Sequence, residues 1–221
     1  MSSKPIKIIL DTAMGILLVV LFGYNLIGGF AHELIGILLF ALFLVHNLLH
    51  LRWYRALFKG RYLAYRFAQA IIDILLLAIM ITMMVMGILI SKEIFRLGLG
   101  VDVFVYNLHK GLGYYAFALS SIHLGMHALG WINKANNKII RLFLLFLPLL
   151  FIGALVYSFI DLKLWEYLSF QAGFRFYSDA PIKFYLEMLA YSLGFASLGL
   201  YASILLRKAS KKGKSKGEME S

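Results

Sequence analysis

The six histidines of this chain are arranged in one pattern that occurs twice. Each copy reads H-x3-G-x9-H-x3-H, and no histidine lies outside the two copies. The residues are, in the first copy, His32, Gly36, His46 and His50 and, in the second, His109, Gly113, His123 and His127. Both copies lie in strongly apolar stretches, HELIGILLFALFLVHNLLHL and HKGLGYYAFALSSIHLGMHAL. The repeat therefore predicts two helices that carry matched sets of imidazoles.

The spacing of the first two histidines in each copy predicts which metal group they could hold. Fourteen residues are nearly four helical turns, so these two histidines share one face of their helix and lie about 21 Å apart. Two parallel helices with these faces inward would pair His32 with His109 and His46 with His123. Two stacked haems, each ligated by one imidazole from each helix, fit this arrangement. A zinc or non-haem iron site would instead need ligands that converge on one point.

The glycine of each copy supports the haem interpretation. Gly36 and Gly113 follow the first histidine by one turn and lie on the same helical face. A porphyrin plane beside the imidazole would collide with any larger side chain at these positions. The chain has no cysteine, so disulfides, iron–sulfur clusters and thiolate ligation are excluded. Any transition metal would have to be held by histidine.

Composition indicates a membrane protein. The chain has 221 residues, of which 62% are hydrophobic and 15% are charged, whereas soluble domains carry roughly a quarter charged residues. We predict an all-α integral membrane fold with six transmembrane helices around a haem-binding four-helix core bundle. The expected spans are 6–28, 31–51, 68–91, 104–130, 140–160 and 182–206. Residues 1–206 then form one six-helix transmembrane domain, and residues 207–221 a basic, disordered cytoplasmic tail.

The net charge of +11 is an orientation signal rather than a sign of nucleic-acid binding. Lysine and arginine are concentrated at both termini and in the connections after the second and fourth predicted spans, and these two connections contain no acid. The positive-inside rule therefore predicts that both termini are cytoplasmic and that the chain lies in the cell inner (plasma) membrane. The longest outer connection, 161–181, is rich in aromatic residues and is expected to lie at the membrane surface.

The third histidine of each copy has several interpretations. His50 and His127 lie one turn beyond the inner pair, at the predicted cytoplasmic rim, and Arg52 and Arg55 follow His50 closely. The two histidines could bond haem propionates or a quinone head group, could replace His46 and His123 as ligands, or could bind a third haem. We prefer the first interpretation, with interfacial histidines in contact with water as its alternative. Spacing does not exclude the second, because eighteen residues are five full turns. The arginines are expected to neutralise propionates or to anchor the chain at the interface.

The segments HELIG…HNLLH and HKGLG…HLGMH resemble those of membrane b-type cytochromes. The H-x13-H spacing is similar to that of the cytochrome b subunit of respiratory bc complexes, of ferric reductases and of NADPH oxidases. The additional H-x3-H and the short chain most resemble small bacterial cytochromes associated with flavinylated extracytosolic electron-transfer proteins. The resemblance implies haem b, with His32, His46, His109 and His123 as ligands. It also implies a quinone or quinol substrate and an extracytosolic redox protein or flavoprotein as partner.

Three functions remain open from the sequence. The first is electron transfer from membrane quinol through two bis-histidine haems to an extracytosolic acceptor, as in a membrane oxidoreductase subunit. The second is direct reduction of a ferric chelate or reaction with superoxide at the outer haem. The third is a non-redox transporter that uses its buried histidines as proton sites, together with the intramembrane acids Asp11, Asp73 and Glu187.

Overall fold

The computed structural model describes residues 4–60, 63–171 and 181–219, and the side chains as far as residue 210. All regular structure in these residues is helical. The helices are α1 Lys4–Leu21, α2 Tyr24–Ile27, α3 Gly29–Leu49, α4 Leu51–Ala56, α5 Ala64–Ile90, α6 Val103–Ile132, α7 Lys138–Asp161, α8 Leu164–Leu168 and α9 Pro181–Met219. The predicted all-α fold is confirmed for this part of the chain.

Four helices in the described residues are long and apolar enough to cross a membrane, which indicates a multi-pass membrane protein. They are α3, α5, α7 and residues Pro181–Ser210 of α9. None of the residues in the most apolar part of α5 is buried within the protein. Large apolar side chains are likewise exposed on α7, where Phe146 is 64% and Leu150 is 72% exposed. Apolar surface of this extent is stable against lipid and unstable against water.

Local sequence explains where several helices begin and end. Gly28 has a φ of 81°, a value that favours glycine, and it separates α2 from α3. Helix α7 begins after Asn137, whose side-chain oxygen accepts from the backbone N–H groups of Ile139 and Ile140. Helix α3 ends at His50, which separates it from α4.

The chain forms two compact units, and the long helices α5, α6 and α9 contribute residues to both. The first unit consists of residues 1–60, 79–114 and 166–186. Within it, α1 packs against α3, and the Tyr114 ring lies 4.7 Å from Phe22 and 4.5 Å from Tyr167. A Cβ on Gly111 would overlap the Phe170 ring, so this glycine allows the segment after α8 to pack closely on α6.

The second unit consists of residues 61–78, 115–165 and 187–221. Within it, α6 and α9 approach each other at two glycines. A Cβ on Gly125 would overlap the Ala196 carbonyl oxygen, and a Cβ on Gly199 would overlap that of Ile122. Small residues at a helix crossing allow the two backbones to come close, as is common between membrane helices. The hydroxyl groups of Ser121 and Ser192 also lie 2.9 Å apart between these helices.

The structure differs from the sequence predictions in three places. The span predicted over 6–28 is interrupted after Leu21, because two glycines, Gly23 and Gly28, allow the chain to turn around the short α2. The tail predicted to be disordered from 207 is helical as far as Met219, in a segment rich in lysine and without proline. The aromatic connection predicted over 161–181 contains α8, and its residues 172–180, including Arg175, lie outside the described residues.

Candidate functional site

The first histidines of the two copies face each other in the first unit. The rings of His32 on α3 and His109 on α6 have centroids 6.3 Å apart and planes at 67° to each other. The Tyr24 ring packs edge-on against His32, with centroids 5.2 Å apart. Both Nδ1 atoms are buried, and neither has a hydrogen-bond partner among the described residues. Buried polar atoms are rarely left unsatisfied, so this pair is suited to a further ligand.

The distance between these two rings fits axial ligation of a single metal ion. A first-row metal lies about 2.0 Å from an imidazole nitrogen, and the nitrogen lies roughly 1.1 Å from the ring centre, as fixed by the bonds of the five-membered ring. A linear arrangement of nitrogen, metal and nitrogen therefore separates the two ring centres by about 6.2 Å. The observed 6.3 Å matches this value. Two protein ligands are sufficient for haem, because the porphyrin supplies the other four nitrogen atoms.

Neither glycine of the repeat is closely packed within the first unit. A Cβ on half-buried Gly36 would meet no atom within 4 Å, and a Cβ on buried Gly113 would make an ordinary van der Waals contact with the methyl group of Met83, at 3.6 Å. The space beside Gly36, one turn from His32, is where the histidine repeat predicts a porphyrin.

A carboxylate fixes the beginning of α3 beside the pair. Glu33 follows His32 directly and accepts from the Ser91 hydroxyl at 2.7 Å. It also accepts from the backbone N–H groups of Lys92 at 2.8 Å, Glu93 at 3.1 Å and Ile94 at 2.8 Å. Four donors on one ionised group form a strong, directional contact. Glu33 therefore holds α3 in a fixed position against the turn that follows α5, and it holds His32 with it.

The inner histidine of the first copy is paired with a carboxylate. His46 Nδ1 lies 2.7 Å from the Asp11 carboxylate on α1. His50 stacks on His46, with ring centroids 4.6 Å apart and planes at 13°. A carboxylate on Nδ1 fixes the ring orientation and leaves Nε2 as the atom that can bind a metal.

The inner histidine of the second copy has an equivalent partner in the second unit. His123 Nδ1 lies 2.6 Å from the Asp73 carboxylate on α5. His127 packs against His123 with ring centroids 4.8 Å apart, and its Nε2 lies 3.2 Å from Gln69 Nε2. Asp73 and Gln69 are four residues apart and share a face of α5, just as His123 and His127 share a face of α6. Two polar side chains of α5 thus face two histidines of α6 inside this unit.

The remaining predicted site residues are on the surface. Arg52 and Arg55 lie on the short α4 directly after His50, and both are exposed. Their predicted contact with haem propionates stays a prediction. Among the described residues there is no group of three or more His, Cys, Asp or Glu side chains that could hold a metal ion.

The histidine pattern does not predict the carboxylate partners. The sequence indicates Asp11 and Asp73 only as proton sites of a transporter, and it indicates no role for Glu33. The signal was present for the first two, because each is the only acid in its helix, and a lone acid in an apolar helix requires a partner. The position of Glu33 gave no such signal, since its donors are backbone groups nearly sixty residues away in the sequence.

The comparisons with known proteins identify no relative. No protein-family model, curated protein or solved structure matches this chain. Its function must therefore be inferred from the arrangement of its own residues.

Proposed function

We propose that this protein is a multi-pass membrane cytochrome that binds haem b and transfers electrons. The observation that carries the proposal is the distance of 6.3 Å between the His32 and His109 rings, beside the open space at Gly36. When bound, haem b would supply an iron that carries one electron. His32 and His109 would hold it by their imidazoles, and bis-histidine ligation favours electron transfer over oxygen binding.

A second haem with His46 and His123 as ligands is part of the same proposal, and it rests on the repeat of the histidine pattern in the sequence. Both rings have a carboxylate on Nδ1, at 2.7 Å and 2.6 Å. Histidine ligands of metals usually donate their second ring N–H to a carboxylate, a carbonyl or water. This supports the second histidine of each copy as ligand rather than His50 and His127, whose rings pack against those ligands. A propionate or quinone head group remains the proposed contact of these third histidines.

The proposed topology has six spans with both termini in the cytoplasm. Helices α1 and α6 would be the fifth and sixth spans, in addition to the four long apolar helices. Helix α1 carries three charged residues in eighteen, and one of them, Asp11, has its carboxylate 2.7 Å from His46 Nδ1. Helix α6 has 30 residues, and its only charged residue is Lys110. The exposed arginines of α4 lie in the basic connection expected on the cytoplasmic side.

The proposed reaction is oxidation of membrane quinol and delivery of the electrons to an extracytosolic acceptor, either a redox protein or a flavoprotein. It rests on the resemblance of the two histidine segments to membrane b-type cytochromes. The alternative is that the outer haem reacts directly with a ferric chelate or superoxide. If it does, these compounds should rapidly reoxidise the reduced, purified protein in the absence of any partner protein.

The experiment that tests haem binding is purification of wild-type protein and of His109→Ala from haem-replete membranes. Wild-type protein should show low-spin, six-coordinate haem b, and His109→Ala should lose one haem per chain. Asn107→Ala is the matched control, because Asn107 lies two residues earlier on α6 and on a different face. A colourless wild-type protein, or equal haem content in His109→Ala and the control, would refute the proposal.

A proton-translocating transporter is the second candidate, and the two carboxylate–imidazole pairs favour it. Such pairs inside a membrane are typical of proton relays. The two functions differ in the effect of His46→Ala. In a cytochrome this variant loses haem while its helical content is retained, whereas in a transporter no haem is present to be lost.

A further inference from the structure

Three helices meet at one end of the second unit. The hydroxyl of Tyr65, near the beginning of α5, donates to the Met126 carbonyl of α6 at 3.2 Å. The Tyr65 backbone N–H donates to the Ser210 hydroxyl of α9 at 3.5 Å. The beginning of α5, the last two turns of α6 and the end of the apolar part of α9 therefore lie together.

Helix α7 begins at the same end, because it runs antiparallel to α9. A Cβ on Gly194 would overlap the Leu155 side chain. Further along α9, the Tyr201 hydroxyl donates at 2.6 Å to the carbonyl of Leu145, which comes earlier in α7. Continued in this direction, the pairing places Arg207, nearly two turns beyond Tyr201, at the level of the first turns of α7.

This end of the second unit is positively charged. We call its described cations the basic rim; they are Arg66, Lys134, Lys138, Arg141, Arg207 and Lys208. Helix α9 continues past Ser210 as far as Met219, and the sequence adds lysines at 211, 212, 214 and 216. The acids of the unit lie in other segments; they are Asp73, which contacts His123, Asp161 and Glu187 at the far ends of α7 and α9, and Glu218 and Glu220 after the last lysine. Among the described side chains, the basic rim therefore contains no acid.

Arg207 is held in place within the basic rim. Its guanidinium carbon lies 4.2 Å from the centre of the Tyr65 ring, and its Nε is buried without a hydrogen-bond partner among the described residues. No described carboxylate pairs with this arginine. An arginine over an aromatic ring keeps its charge, and a guanidinium group can bind two oxygens of one phosphate at once. Arg207 is therefore suited to anchor an anion that carries phosphate.

Exposed apolar side chains border the basic rim. They belong to the same helix ends and are Leu63, Phe67, Trp131, Ile139 and Leu205. A free phosphate or a nucleic acid has no hydrocarbon chains to cover them, whereas the acyl chains of a phospholipid remove such surface from water. Tryptophan is also enriched where membrane helices enter the interface. The combination of cations and apolar side chains favours a phospholipid over other carriers of phosphate.

We propose that the basic rim is a binding site for anionic phospholipid. Arg207 binds the phosphate of the head group, the other cations of the rim attract its net negative charge, and the bordering apolar side chains contact the acyl chains. A basic residue near an anionic membrane surface is worth about 1 kcal/mol, which is about fivefold in affinity. Binding should therefore weaken stepwise as these cations are removed. The site goes beyond the proposed electron transfer and requires no haem.

The test is native mass spectrometry of the purified, delipidated full-length protein in nonionic detergent, with dioleoylphosphatidylglycerol and dioleoylphosphatidylcholine at equal concentrations. Both lipids have the same acyl chains and a phosphate, but only the first has a net charge. Wild-type protein should retain at least about fivefold more phosphatidylglycerol than phosphatidylcholine, and Arg207→Gln should lower the affinity for phosphatidylglycerol about fivefold. Lys163→Gln is the control, because exposed Lys163 follows the other end of α7, and this variant should bind as wild type does.

A second variant covers the case in which Arg207→Gln folds poorly. Lys208 is exposed, so Lys208→Gln should keep its helical content by circular dichroism and still bind phosphatidylglycerol more weakly. Inorganic phosphate at the same concentration should not displace the lipid, and displacement would overturn the proposal by showing a site for a soluble phosphate compound. Equal retention of the two lipids by wild-type protein would also overturn it, as would rim variants that bind phosphatidylglycerol as tightly as Lys163→Gln does.

Discussion

Replacement of Gly36 by leucine tests whether the space beside this glycine is occupied by haem. A Cβ at Gly36 would meet no protein atom within 4 Å, so the protein itself offers no steric resistance to the first atom of the new side chain. Leucine is also favoured over glycine in a helix by about 0.8 kcal/mol. Gly36→Leu is therefore expected to keep its helical content, with a free energy of unfolding that is unchanged or up to about 0.8 kcal/mol higher in the absence of haem.

The same substitution should prevent haem binding beside His32. The leucine side chain would occupy the open space one turn from the imidazole, and a porphyrin cannot approach carbon atoms more closely than about 3.5 Å. We expect at least a tenfold loss of affinity at this site, which corresponds to about 1.4 kcal/mol. The haem content of the purified variant should fall from two per chain to one.

The assay combines haem content with circular dichroism of the same samples. Gly153→Leu is the matched control, because Gly153 is also helical and also has no atom within 4 Å of a Cβ, but it lies on α7, outside the histidine repeats. The control should keep both haems. A Gly36→Leu protein that retains two haems would refute the assignment of this space to a porphyrin.

Three further predictions follow from the contacts described above. Glu33→Gln should lower the free energy of unfolding by about 1.5–3 kcal/mol, because the charged acceptor of three backbone N–H groups is lost; chemical unfolding measures this, and an unchanged midpoint would contradict it. Gly125→Ala should destabilise the protein by about 1–3 kcal/mol, because its Cβ would overlap a backbone carbonyl of α9, while Gly130→Ala, with open space around it, should be tolerated in the same thermal-unfolding assay. His50→Ala and His127→Ala should each keep two haems, and loss of a haem in either would show that the third histidine is a ligand.

Much of the fold could be predicted from the sequence because lipid imposes a simple rule. Long apolar segments in a bilayer must be helical, since every backbone polar group needs an internal partner. The apolar stretches therefore predict the positions of the long helices, and four helices of the described residues are long and apolar enough to cross a membrane. The helix ends were less predictable. The break after Leu21 and the end of α3 at His50 depend on local turns that have only a weak signal in an apolar sequence.

The partners of the candidate site could be predicted only in part. The histidine repeat selects His32 and His109 because helical periodicity is a local property, and the structure places these two rings next to each other with their planes at 67°. The bond between Asp11 and His46 joins residues 35 positions apart, and that between Asp73 and His123 joins residues 50 positions apart. Such contacts depend on how helices pack, which periodicity does not specify. The two contacts are nevertheless alike in both copies of the repeat. In each, the acid lies on a helix that precedes the histidine helix in the chain.

The most direct test of the central claim is the haem content of purified wild-type protein, measured by the pyridine haemochrome method against the protein concentration. The two matched histidine sets of the sequence predict haem b at two per chain. A protein that is folded, membrane-bound and free of haem would contradict the account.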